Sequence, residues 1–322
     1  MSSQTQFKGK YSKANITQEL LIHDPPTTSA QDVICIRTND TSSDLMYPNS
    51  RFTSIKNLGD GSASLIFEGY DNQEKKKIII KKISKKEYWR KELDILKRLS
   101  HSNTGRLLKY IDFYESQRCS YIVTEFYEGF DLFEHIDLNV PYTTKKGLLL
   151  CLEMAKCIKE CHDNNIIHLD IKCENYMVKS DKLFEDGKPN IVLIDFGHSE
   201  IVPKDQPIEK LRKGYSYGTS YYTCPEGYFE RINSSKSDIW SLGVCLSLLL
   251  TGDYPYVGKK EEYYRNSVND NISLTKSDLN PDIIVLLADS LNSIPFKRPT
   301  INQFISRIVK ILIELGVEVN LV

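Results

Sequence analysis

The spacing of apolar residues changes character near residue 128, and that change restricts the fold more than any other feature of the chain. Before it, the stretches at 52–71, 75–83, 106–115 and 120–128 are short runs rich in Ile, Phe, Tyr and Val, the pattern of strands. Only 87–100, EYWRKELDILKRLS, has helical periodicity there. After 128 the long apolar segments recur at helical spacing, at 145–165, 239–250, 277–293 and 301–316. A strand-rich lobe followed by a helical one predicts an α+β chain with a cleft between the lobes. Residues 1–50, rich in Ser, Thr, Asn, Asp and Gln with one short apolar alternation, DVICIR, read as a weakly structured polar extension.

Charge and cysteine usage exclude several classes. With 42 basic and 43 acidic residues, no global excess points to nucleic acid or an anionic membrane. The apolar run IWSLGVCLSLLL at 239–250 is too short to span a bilayer, and MSSQTQFKGK lacks the apolar core of a signal peptide. Eight cysteines without a C-x-x-C pair suggest neither a zinc site nor a disulfide framework, so a reduced, cytoplasmic or nuclear setting is expected. Cys157, Cys161 and His162 share a helical face, which reads as packing rather than a metal site.

Chemistry-bearing residues gather in three places. LGDGSAS, 58–64, is a glycine stretch whose backbone can approach a phosphate closely. Lys81, twenty positions beyond Gly61 at the end of an apolar strand, can offer a cation at the lobe junction, with Glu92 on the next helix as counter-ion. IVLIDFGHS, 191–199, is an apolar strand running into Asp195, and an acid before a glycine turn suits Mg²⁺, which takes one or two carboxylates plus phosphate oxygens. HLDIKCEN, 168–175, supplies an acid to orient a hydroxyl, Asp170, a lysine to neutralise a moving phosphoryl group, Lys172, and an amide for the metal, Asn175.

These motifs together resemble the eukaryotic protein kinases over about 51–316. LGDGSASLI is similar to their glycine-rich loop, IIIK to the strand lysine motif, HLDIKCEN to the catalytic loop and GTSYYTCPE to the segment ending in A-P-E; DFG is unaltered, and DIWSLG and KRPT match helix elements. The resemblance implies a bilobal fold, with the smaller lobe at 51–127, the helical lobe at 128–316 and a tail at 317–322. It implies ATP and Mg²⁺ as cofactors. Leu58, Gly59 and Gly61 would cover the nucleotide, Lys81 would hold its phosphates and pair with Glu92, and Asp195 and Asn175 would hold the metal. Thr124 would be the gatekeeper, Glu125 to Tyr127 the hinge, Ile66, Ile79 and Met177 the adenine walls, and Asp131 a ribose neighbour. Glu226 would pair with Arg298. Lys172 and Thr219 resemble the serine/threonine branch, so the expected substrate is a protein hydroxyl, with a basic residue upstream favoured by Glu128 and Asp131. A monomer that binds neither nucleic acid nor membrane is expected.

The departures are specific. Ser64 replaces the third glycine of the loop, Ile79 stands where an alanine faces adenine in the family, and Leu169 replaces the arginine before the catalytic aspartate. Only eleven positions separate Lys81 from Glu92, which predicts a regulatory helix lacking its first turns. A nucleotide-binding pseudokinase is the alternative that these changes keep open.

Overall fold

The computed structural model describes residues 51–60, 64–84, 89–116, 119–139, 142–214, 218–274 and 279–319. The polar extension expected at 1–50, Gly61 and the end of the tail at 320–322 lie outside them. The described residues, 51 to 319, belong to one compact unit.

The first part of that unit is a five-stranded antiparallel sheet. Strands β1 (Phe52–Asp60), β2 (Ser64–Asp71), β3 (Lys76–Ser84), β4 (Tyr110–Glu115) and β5 (Cys119–Glu125) stand in the order β1-β2-β3-β5-β4. Period-two alternation in β3 sends Ile78 and Ile80 to one face, where they pack with Phe52, Tyr121 and Val123. Ile79, Lys81 and Ile83 take the other face. There Ile83 joins Ile122 and Leu93, Leu96 and Leu99 of helix α1 (Trp89–Leu99) in the main core. One strand thus supplies a sealed outer layer and a wall of the cleft. Helix α1 has Glu92 in its first turn, as the short spacing from Lys81 requires.

Helix α2 (Leu132–Asn139) and the buried helix α3 (Thr144–Asp163) open the helical part. Thr143 caps α3 by accepting the Lys146 N–H, satisfying one of its free donors. Five short strands follow: β6 (Ile166–Ile167), β7 (Tyr176–Val178), β8 (Phe184–Glu185), β9 (Lys188–Pro189) and β10 (Ile191–Leu193). Beyond them come β11 (Glu200–Ile201), β12 (Arg212–Lys213), α4 (Pro225–Glu230), β13 (Ile232–Asn233) and α5 (Ser235–Thr251). The chain closes with α6 (Lys260–Val268), α7 (Pro281–Ser290) and α8 (Ile301–Glu314).

Helix α5 starts in a capping box of Ser234 and Ser237, ends at Gly252 in the left-handed region, and is buried along nearly its whole length between α3 and α7. That all-round burial explains why its sequence lacks an amphipathic stripe. The 239–250 run is therefore a core helix, and no described helix is long and apolar enough to cross a membrane. The thiols of Cys157 and Cys161 are buried in the same core, while His162 Nε2 meets Asp238 Oδ2 at 2.8 Å. Among the described residues no group of three or more His, Cys, Asp or Glu side chains could hold a metal ion.

Two expectations change in detail. The apolar stretch 191–199 is a strand only to Leu193, because the chain must turn for Asp195, whose φ is 60°. The strand expected at 106–115 begins at Tyr110, and helices α2, α4 and α6 were not legible, being short and weakly amphipathic.

Candidate active site

Two small ladders hold the chemistry-bearing loops together. Strand β7 pairs with β10 so that Tyr176 faces Leu193, which sets Asn175 beside the Asp195 segment; the Ile194 N–H donates to the Asn175 carbonyl at 2.8 Å. Strand β6 pairs with β11 so that Ile167 faces Glu200, which sets His168 beside Ser199, whose hydroxyl donates to the His168 carbonyl at 3.1 Å. The loops 168–175 and 194–199 are therefore clamped to one another at both ends.

Asp238 fixes the first loop from below. Fully buried on α5, it accepts the N–H groups of His168 at 2.9 Å and Leu169 at 2.8 Å in addition to the His162 contact. These bonds hold Leu169 at φ 65°, a conformation that costs a non-glycine residue about 1–3 kcal/mol. The strained turn aims Asp170 into the cleft. Its Oδ1 accepts the Thr219 N–H and hydroxyl, each at 2.9 Å, and its Oδ2 faces Lys172 Nζ at 3.0 Å and Asn175 Nδ2 at 3.1 Å. Lys172 also donates to the Thr219 hydroxyl at 2.7 Å. Burial alone would raise the Asp170 pKa, but Lys172 overcomes it and holds the carboxyl below its usual range. Burial likewise opposes the charge of Lys172, and Asp170 and Glu174 more than offset it. Gly218, at φ 100°, makes this possible: a Cβ there would stand 2.9 Å from the Leu169 carbonyl oxygen.

A second cluster joins the lobes. Lys81 Nζ lies 2.7 Å from Glu92 Oε1 and 3.1 Å from Asp195 Oδ1. Burial disfavours the Lys81 charge, yet the two carboxylates hold its pKa above the ordinary lysine range. For Asp195, burial is again the opposing influence, and Lys81 keeps the carboxyl ionised well below its usual range. Phe196 is fully buried against His168, their rings edge to face at 5.1 Å. At Gly197 a Cβ would come within 3.2 Å of Asp195 Oδ1, so that carboxylate would have to shift by a few tenths of an ångström, while its 3.6 Å approach to Lys81 Nζ is ordinary contact. The donor set suits a hard cation: an ionised carboxylate, and beside it the Asn175 amide, whose nitrogen donates to both the Asp170 carbonyl and its carboxylate, leaving the amide oxygen as ligand.

The remaining nucleotide-site candidates line the sheet and the strand below it. Gly59 sits at a bulge of β1 opposite Ile66, and Ile66 is in register with Lys81. Leu58 is exposed on β1, while Ile79 faces the buried Thr124 across β3 and β5. Glu125 ends β5 and accepts the Tyr127 hydroxyl at 3.2 Å. Met177 bridges to Asp131, which also caps α2 by accepting the Glu134 N–H at 2.8 Å. Because Ile79 shares the Lys81 face and is only half-buried, Ile79→Ala should cost about 2 kcal/mol of stability at most, the low end for such truncations. ATP binding should be unchanged or tighter, since three side-chain carbons leave the roof. Calorimetric titration of folded variant checks this; clearly weaker ATP binding would show that Ile79 supports rather than crowds the ligand.

Further down, Glu226 and Arg298 form a two-pronged buried ion pair at 2.6 and 2.7 Å. Leu169 packs against Ile167 and Val202, with Ile208 over them, an apolar cluster where the family's arginine would be. Sequence reasoning missed the backbone role of Asp238, although DIWSLG marked its helix, and the proximity of His198 to Asp170, for which adjacency to DFG was the signal.

The comparisons agree with this architecture. A family model described as protein kinase domain matches residues 52–308. Among similar proteins, calcium-dependent protein kinase 6 of Plasmodium berghei (strain Anka) is 33% identical over 192 residues, covering 60% of this chain and 12% of that protein. Serine/threonine-protein kinase 33 of Mus musculus is 30% identical over 220 residues, 66% of this chain and 44% of that one. The probable serine/threonine-protein kinase MARK-C of Dictyostelium discoideum is 29% identical over 257 residues, 77% and 32% respectively. The chain spans less than half the length of these relatives.

Proposed function

Since this chain belongs to the eukaryotic protein kinase family, we propose that it transfers the γ-phosphoryl group of ATP to serine or threonine hydroxyls of protein substrates. The observation that carries the reading is the joint geometry of Lys81 with Glu92 and Asp195, and of Asp170 with Lys172, Asn175 and Thr219. Lys81 and Asp195, and Asp170 and Lys172, are paired in the cleft before substrate arrives, and preorganised charge of this kind is the main catalytic device for this reaction.

Lys81 would draw the nucleotide phosphates toward the lobe junction, its orientation set by Glu92. Asp195 and Asn175 would hold Mg²⁺. When bound, that cation would neutralise charge on the phosphate oxygens. Asp170, ionised and held at both oxygens, would orient the attacking hydroxyl and receive its proton. Lys172 would balance charge on the phosphoryl oxygens in flight. The Lys172–Thr219 bond supports the serine/threonine assignment, and the acidic groups Glu128 and Asp131 support a preference for basic residues upstream of the target. We place the enzyme in the cytoplasm or nucleus, as a monomer. Incubation with labelled Mg·ATP and a mixed peptide library should yield phosphoserine or phosphothreonine; a product confined to phosphotyrosine, or none, would overturn the reading.

Leu169 bears on regulation. An arginine there would pair with a phosphorylated activation segment, whereas leucine is sealed among apolar residues and offers no cation. The neighbouring cations are Arg212, which spends two of its five N–H donors on the carbonyls of Lys210 and Pro207, each at 2.7 Å, and Lys213; a phosphate switch that survives would have to use them. The segment should therefore work without phosphate, although Tyr215, Ser216 and Tyr217 lie outside the described residues. Phosphatase-treated protein should keep most of its activity, and Ser216→Ala and Tyr215→Phe should each change the rate less than about threefold, under roughly 0.7 kcal/mol of barrier. A tenfold fall would mean that a phosphate switch survives the loss of the arginine.

A further inference from the structure

The turn that follows Asp195 brings an imidazole to the catalytic loop. His198 Nδ1 lies 3.7 Å from Asp170 Oδ2. The side chain is 43% exposed as a whole, yet its Nδ1 atom is buried, so the ring presents one edge to solvent and the other to the carboxylate. The position follows from the two ladders: β10 ends before Asp195 and β11 begins at Glu200, leaving a short loop that must cross directly over 168–170.

The groups around this ring are nearly all ionisable. Asp170 approaches from the catalytic loop, Asp195 from its own segment, Glu92 from α1, and the buried His168 from below. Among the described residues only Lys172 and His198 bring a cationic or potentially cationic nitrogen within ion-pair reach of Asp170, because the Leu169 side chain is turned into its apolar cluster. Lys172 is shared with the Thr219 hydroxyl, and the Asn175 amide nitrogen, which also donates to Oδ2 at 3.1 Å, is shared with the Asp170 carbonyl, so both direct holds on Oδ2 have a second task. At 3.7 Å the His198 contact is longer than a hydrogen bond, so the hold is electrostatic and calls for the tautomer that carries its hydrogen on Nδ1.

We propose that His198 is a positioning residue for phosphoryl transfer: its Nδ1 faces Asp170 Oδ2 and keeps that carboxylate in the orientation that Thr219 sets from the other oxygen, so that the Asp195 segment and the catalytic loop move as one unit. The contact stands on geometry alone; its effect on rate rests on the kinase reading above.

The test separates the two. Steady-state kinetics on the full chain should show that His198→Leu lowers kcat about fivefold to twentyfold while KM for ATP stays within twofold. His198→Asn, whose amide nitrogen falls near the position of Nδ1, should recover kcat to within about threefold of the parent. Equal losses in Asn and Leu variants of unchanged melting temperature, or a loss confined to KM, would overturn the proposal. In parallel, nitrogen NMR of the imidazoles should show the His198 Nδ1 resonance moving in Asp170→Asn; an unmoved resonance would refute the contact itself. If the parent phosphorylates no peptide, the kinase reading fails, and the NMR result still decides whether His198 holds Asp170.

Discussion

Asp170→Asn is expected to fold and to lose at least about 100-fold in kcat, roughly 2.7 kcal/mol of transition-state stabilisation. The carboxylate accepts from Thr219 at one oxygen and faces the Lys172 ammonium and the Asn175 amide at the other. An amide has one acceptor. If its oxygen turns to Thr219, its NH₂ points at two donors; if it turns the other way, the Thr219 N–H loses its acceptor. Either orientation removes the negative charge that would draw a proton from the attacking hydroxyl, and Lys172 is left to spend its charge on Thr219 alone. Asp195→Asn should lose as much by a different route: it removes the charge that pairs with Lys81 and that suits Mg²⁺, so the thermal stabilisation given by Mg·ATP should shrink as well. Kinetics and melting curves with and without Mg·ATP check both. Two variants as fast as the parent would mean that the reaction site lies elsewhere.

How much of this was legible in the chain depends on whether a contact is local. The β3 alternation, the apolar strand before Asp195 and the five-residue spacing of Asp170 and Asn175 are short-range patterns, and the sheet and the loop elements follow from them directly. The α1 helix was legible down to the early position of Glu92, because eleven residues cannot place Lys81 and Glu92 together with a longer N-terminal extension of the helix. Leu169 was readable as a lost cation. Its left-handed backbone was not, since that conformation is imposed by Asp238, 69 residues away.

The same distinction separates the visible site from the hidden one. The site acids are announced by motifs, whereas the clamps that align them are ladders of three and two residue pairs, too short to carry any periodic signal. Short helices such as Leu132–Asn139 failed for a related reason: eight residues give two turns, and tertiary contact rather than amphipathic pattern stabilises them. His198 illustrates the limit. Its neighbour in sequence is the DFG glycine, but its neighbour in space is set by where two loops cross.

Arg298→Met is expected to cost about 3–5 kcal/mol of stability. The guanidinium is wholly buried and uses its planar fork fully: Nη1 and Nη2 donate to Glu226, Nη1 also to the Lys236 carbonyl at 3.1 Å, and Nε to the Asn292 carbonyl at 2.8 Å, with the Trp240 ring 4.9 Å beneath it. Burial opposes the charge, but Glu226 holds the Arg298 pKa above its ordinary value. Methionine would fill much of the volume and leave Glu226 as a buried carboxylate with no counter-ion, which is the costly outcome. Glu226→Gln should cost less, because it keeps one acceptor for the fork. Replacing both, as Arg298→Met with Glu226→Leu, should recover a large part of the loss, since the desolvated charges disappear together. Denaturant titration measures all three, and a parent-like midpoint for Arg298→Met would show that the pair contributes nothing to the fold. The activity should fall before the fold does. Glu226 lies in the first turn of α4, immediately after the segment carrying Thr219 and Tyr222, and Thr219 is what holds Asp170 Oδ1. Loosening the anchor lets that segment drift, so under conditions where Arg298→Met is still folded its kcat should already be reduced, with KM for ATP nearly unchanged because the Lys81–Glu92 pair stands on the other lobe.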